Sequence, residues 1–151
     1  MNKNIIISAL FISSLFLAGC NQQPIISESQ AQEINQTVAK EDRIEIVGFH
    51  RIRRCATCLS MERNAKETLD KYFQKELENG DITFHSINIE ESTLESVELV
   101  NKYQATGSSI FVNTIQAGED HIELDANAWK LARQDEKFQS YFKEKIDNLL
   151  K

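Results

Sequence analysis

Two cysteines three residues apart, Cys55-Ala56-Thr57-Cys58, stand between a strand-like and a helix-like run. Before them, Ile44-Glu45-Ile46-Val47-Gly48-Phe49 alternates and is β-branched, which predicts a strand. After them, Ala65, Leu69, Tyr72, Phe73 and Leu77 recur at helical spacing. The pair therefore opens a helix. A helix N-terminus carries unpaired N–H groups and partial positive charge, which favour a thiolate. Arg51, Arg53 and Arg54 lie just before Cys55 and add to that field. Both features are expected to lower the Cys55 thiol pKa and raise its reactivity at neutral pH.

The chain has 151 residues and three cysteines. Its first 19 residues read as a secretion leader. Lys3 supplies the positive start, and Ile5 to Leu17 is an apolar run too short for a comfortable membrane span. The leader ends Leu17-Ala18-Gly19-Cys20, which resembles the lipobox of bacterial lipoproteins. That resemblance implies cleavage before Cys20 and a lipid on Cys20. Cys55 and Cys58 then remain as the free pair. A bridge between them closes a very short loop and adds little stability through chain entropy, which favours a chemical role.

Residues 20–42 read as a lipidated flexible tether. The stretch is rich in Gln, Ser, Glu and Asn and holds the only proline, Pro24. About 20 flexible residues reach roughly 25 Å. A short helix within Ala31 to Lys40 is also compatible with Ile34 and Val38. Residues 43–151 form one domain. The net charge is −6 with dispersed acids, so no basic face for nucleic acid is expected.

Within the domain, a long helix is expected over Cys58 to Asn79, closed by Gly80. A strand follows over Ile82 to Ile89, with Ile82 and Phe84 on one face and Ile87 and Ile89 on the other. A strand, a helix and a strand predict parallel pairing. Ser92-Thr93-Leu94-Glu95 fits a capping box and opens a helix to about Gln104, with Leu94, Val97, Val100 and Tyr103 inward. Ser109 to Ile115 is the third strand. The connection Gln116 to Asp120 makes a hairpin into a fourth, His121 to Leu124. The tail carries Trp129 and Leu131 and ends in a helix with Phe138, Tyr141, Phe142, Ile146 and Leu149 on one stripe.

This order resembles the thioredoxin-like fold, for which a C-x-x-C beside a βαβ unit is a recognised pointer. The resemblance spans nearly all of residues 43–151. It implies an α/β domain, a four-stranded mixed sheet in the order second, first, third, fourth, with helices on both faces. It also implies that Cys55 is the exposed nucleophile and Cys58 the resolving cysteine. The implied function is an envelope-anchored thiol–disulfide oxidoreductase acting on protein disulfides or dithiols. Such exchange needs no metal, nucleotide or flavin cofactor.

The chain departs from the family pattern in several places. No proline lies beyond Pro24, so the family's cis-proline position falls on Ser109, where a trans bond is expected because a cis bond before a non-proline costs about 3 kcal/mol. The acid that the family buries beneath its second cysteine falls on Gly48 or Phe49. Arg54 replaces the usual tryptophan, and Ala56-Thr57 the usual Gly-Pro.

Two other readings use the same residues. The cysteine pair could capture a soft ion such as Cu(I) or As(III), or the protein could be an interaction lipoprotein with inert cysteines. A structural zinc site would need two further ligands, and only His50, His85 and His121 are on offer. His50 either ends the first strand or assists a leaving thiolate. Arg51, Arg53 and Arg54 either activate the thiolate, steer a substrate, or form a solvated patch. Trp129 either covers the core or lines the groove. Asn21 after Cys20, with no acidic run following, points to the periplasmic face. A reductive direction would require an electron donor in the membrane.

Overall fold

The computed structural model describes residues 42–151. The leader, Cys20, nearly all of the tether and the possible helix over Ala31 to Lys40 lie outside the described residues. Among the described residues, no helix is long and apolar enough to cross a membrane.

The strand β1 (Arg43–His50) is central. It pairs in parallel with β2 (Ile82–Asn88) and antiparallel with β3 (Ser109–Gln116); β3 pairs with the edge strand β4 (Glu119–Leu124). The resulting order, β2-β1-β3-β4, is the thioredoxin-like architecture. The β1/β2 register brings His50 beside Asn88, and the β1/β3 register brings Phe49 beside Ser109. One end of the sheet therefore gathers the end of β1, the end of β2 and the start of β3.

The pleat of β1 divides two cores. Ile44 and Ile46 face α1 (Ala56–Tyr72), α4 (Ala126–Leu131) and α5 (Asp135–Leu149), packing with Met61, Leu69, Phe138, Phe142 and Ile146. Val47 and Phe49 face α3 (Leu94–Tyr103), with Ile87, Leu99 and Tyr103. There Phe49, Tyr103 and Phe111 meet as three ring pairs at centroid distances of 5.5 to 5.7 Å, a spacing favourable for tilted and edge-on contacts. Ile82 and Phe84 join the first core and Ile87 and Ile89 the second, as the alternation in β2 predicts.

The expected long helix is two. It starts at Ala56, earlier than expected, and breaks at Phe73, whose φ of −131° ends α1 before α2 (Gln74–Glu78). Phe73 donates its N–H to Leu69 O and accepts from Leu77 N–H, so it serves both the end of α1 and the start of α2. The break sends Phe73 into the core and leaves Tyr72 outside, 41 % exposed under the ammonium groups of Lys71 and Lys143. Tyr72 is thus not a core residue.

The cap of α3 also sits one residue later than the capping box predicts. Thr93, not Ser92, accepts from Ser96 N–H at 3.1 Å, and the Ser96 hydroxyl donates to Glu91 O at 2.7 Å. Ser96, Leu99 and Tyr103 consequently face inward, while Leu94 and Val97 face solvent at 85 % and 47 % exposure. A polar residue with a backbone partner took the position that hydrophobicity alone assigns to Leu94 and Val97.

The β3–β4 connection is tighter than the five residues expected. Ala117 and Gly118 both have positive φ, at 50° and 79°, the signature of a two-residue type I′ hairpin. β4 accordingly begins at Glu119.

Candidate functional site

Cys55 is the N-cap of α1, and its Sγ accepts from Cys58 N–H at 3.1 Å. The two cysteines are disulfide-bonded with their Cα atoms 5.1 Å apart. Their exposure differs: Cys55 is open to solvent, and Cys58 is only 7 % exposed. The first turn of α1 holds no acidic residue. The helix dipole therefore acts on Cys55 without a neighbouring carboxylate in that turn.

The approach loop is fastened from outside. His50 ends β1, its carbonyl accepts from Ile89 N–H, and its Nδ1 lies 3.2 Å from Arg51 O. Glu90 accepts from Ile52 N–H at 2.8 Å and stands 3.7 Å from the Arg51 guanidinium. Arg51 also donates to Thr106 O at 3.1 Å. The carboxylate that follows β2 thus ties down the loop that follows β1.

The three arginines are not equivalent. Arg51 is engaged by Glu90 and Thr106. Arg54 is ion-paired through Nη2 with Glu62, and its Nε–H is buried without an acceptor. Arg53 is exposed and makes no hydrogen bond or ion pair among the described residues. Glu62 also accepts from the Ser86 hydroxyl at 2.8 Å, so it links the loop, α1 and β2.

Ser109 opens β3 opposite Phe49, and its hydroxyl donates to Gly107 O at 3.1 Å. With Met61, Ser108, Leu124 and Trp129 it lines an open groove of about 360 Å³. Met61 lies one helical turn beyond Cys58, so the groove runs along the cysteine end of the sheet. Trp129, 46 % exposed, lines this groove rather than the core. Asp125 is on the same groove wall, only 2 % exposed, and accepts from Asn127 N–H, Ala128 N–H and the Tyr141 hydroxyl. Burial and the Asp125 bond push the Tyr141 phenol upward.

The missing acid has no direct substitute at its position: Phe49 and Gly48 are there, and Phe49 is packed in the α3-side core. The buried carboxylate of β1 is Glu45, at the other end of the strand. It accepts from the Tyr103 hydroxyl at 2.6 Å and from Lys102 at 2.9 Å. Asp120 extends this cluster through Asn113 and Lys102. His85 stands between Glu45 and Glu95. His121 is exposed on β4. Among the described residues, no group of three or more His, Cys, Asp or Glu side chains is arranged to hold a metal ion.

Sequence reading missed Glu62 and Glu90. Glu62 carries a usable signal, since it lies four residues after Cys58 and shares its helix face. Glu90 carries none without the β1/β2 register that sets it beside the loop.

No family model matches the chain, and no curated protein does. Among solved structures, the chain is similar to thioredoxin O2 from Arabidopsis thaliana in its oxidised state. The likeness has 15 % identity and a TM-score of 0.39, and it covers 64 % of this chain and 76 % of that one.

Proposed function

We propose that this protein is a thiol–disulfide oxidoreductase held at the cell envelope by a lipid on Cys20, on the periplasmic face. The observation that carries the reading is the asymmetry of the cysteine pair: an exposed Cys55 at a helix N-cap bridged to a buried Cys58. The anchoring rests on the leader and Cys20 in the sequence.

In the reductive direction the Cys55 thiolate attacks one sulfur of a substrate disulfide. The substrate S–S bond breaks, a substrate thiolate leaves, and a mixed disulfide joins Cys55 to the substrate. Cys58 gives up its proton and attacks Cys55 Sγ. The mixed disulfide breaks, the second substrate thiolate leaves, and the Cys55–Cys58 bond forms. Two electrons have passed from the pair to the substrate. The reverse sequence oxidises a dithiol. Sustained reduction draws on a membrane electron donor. Arg53 supplies the uncompensated positive charge beside the nucleophile, while His50, Arg51 and Arg54 shape its approach loop, Arg51 and Arg54 through Glu90 and Glu62, and Ser109 faces the substrate where the family has its cis-proline.

The test is the reduction potential of the pair, by equilibration with glutathione and mass-tagging of free thiols. A value near −270 mV, roughly the thioredoxin range, means a reductant; one near about −120 mV means an oxidant. If no reversible disulfide forms at any ratio, the oxidoreductase reading fails, and capture of a soft ion by the two thiolates takes its place.

A further inference from the structure

We propose that Glu62 is a positioning residue that ties up the Arg54 guanidinium and so limits the positive field at Cys55. The inference rests on the oxidoreductase reading and deepens it. Arg54 directly precedes the nucleophile, and a free guanidinium there would favour the thiolate. It is not free. Glu62 pairs with its Nη2 and is itself anchored by the Ser86 hydroxyl of β2. Both partners are largely screened from water, at 24 % and 21 % side-chain exposure, so the pair is less weakened by solvent than an ordinary surface bridge.

The pair is incomplete on the arginine side. Arg54 Nε–H is buried with no acceptor, and an unmet buried donor is costly. When the disulfide is reduced, the adjacent residue becomes a thiolate and hence an acceptor. While Glu62 holds Nη2, the guanidinium is neutralised and its position is set by α1 and β2. Once the Glu62 charge is removed, Arg54 is both uncompensated and short of an acceptor. It then turns its charge to Cys55. Glu62 thus sets how readily Cys55 ionises and, through the stability of the reduced form, how oxidising the pair is.

The experiment is a pH profile of Cys55 alkylation by iodoacetamide on the reduced, full-length protein, read by peptide mapping so that Cys20 and Cys58 are scored separately. Four forms are compared: wild type, Glu62→Gln, Arg54→Gln and the double variant. Equilibration with glutathione on each form establishes first that the disulfide is reversible; its absence in the wild type defeats the function, not this inference. Glu62→Gln is expected to move the profile down by about half a pH unit, about threefold more thiolate on the acid limb. The shift must be larger with Arg54 present than in the Arg54→Gln background. Equal shifts in the two backgrounds would mean that Glu62 acts only through its own charge, and no shift would mean that it does not act; either overturns the proposal. Ser86→Ala changes no charge and loosens Glu62, so it should shift the profile the same way by less. A Ser86→Ala profile that matches wild type would count against the anchoring by β2 and overturn that part.

Discussion

The Tyr103 hydroxyl donates to Glu45 Oε2 at 2.6 Å, joining the end of α3 to the central strand on the face away from the cysteines. Burial would raise the Glu45 pKa, but the bonds from Tyr103, Lys102 and Asn113 and the Lys102 charge outweigh it, and Glu45 is held below its ordinary 4.5. Asp120 is likewise lowered, first by its bond from Asn113. Lys102 is raised, because the two carboxylates outweigh its desolvation. Carboxylates depressed in the folded state contribute stability that is complete above their unfolded pKa and is lost as pH falls through the folded value. The raised Lys102 contributes below its unfolded 10.5 and loses that contribution as pH rises through its folded pKa.

Glu45→Gln should therefore cost about 2 kcal/mol at pH 7 and less at pH 3, below the ordinary carboxylate value, where the contribution of a depressed carboxylate is already being lost. Urea unfolding midpoints of both proteins at the two pH values check this. An equal gap at pH 7 and pH 3 would mean that the network contributes by shape alone. Tyr103→Phe, which removes only the donor, should cost about 1 to 3 kcal/mol at pH 7.

The cysteine asymmetry predicts a trapping experiment. Cys58→Ser leaves no thiol to resolve a mixed disulfide, so oxidised glutathione should leave one stable adduct at Cys55, found by peptide mapping. Cys55→Ser leaves Cys58 at 7 % exposure, and its modification should be slower by at least about tenfold. Comparable adducts on both cysteines would reverse the assignment of nucleophile and resolving thiol.

What was readable in the chain follows from how local each signal is. The cysteine pair, the alternation in β2 and the stripe of α5 depend on spacing within one segment, whereas the sheet order was legible only through the resemblance to the thioredoxin-like fold. The break at Phe73 was not readable, because no Gly or Pro marks it; it arises from where the core accepts an aromatic ring. The inward face of α3 was misassigned because Ser96 is satisfied by Glu91 O, a bond that depends on the loop path before the helix. At the site, the positive rim was legible but not its neutralisation. Glu90 and Glu62 reach the arginines from a different loop and a later helical turn.

That neutralisation singles out Arg53. Arg51 and Arg54 have carboxylate partners, whereas Arg53 is exposed and unpaired among the described residues. Arg53→Glu should raise the midpoint of the Cys55 alkylation profile by a few tenths of a pH unit, about twofold less thiolate at neutral pH. The effect should fade at about 1 M salt, where the screening length falls to roughly 3 Å. An effect that persists undiminished at that salt would show that Arg53 acts by holding the loop and not through its charge.

The hairpin offers a prediction in the stabilising direction. Ala117 occupies the left-handed region at φ 50°, beside Gly118 at φ 79°. A Cβ there is strained, and type I′ turns favour Asn-Gly. The Ala117 N–H donates to Asp42 at 2.7 Å, a backbone bond that a substitution keeps. Its side chain is exposed, so a larger residue meets no packing. Ala117→Asn should therefore gain up to about 1 kcal/mol, seen as a higher urea midpoint with an unchanged slope. Ala117→Val, which combines β-branching with positive φ, should lower it. If both variants unfold at the wild-type midpoint, the turn does not limit the stability of the β3–β4 edge.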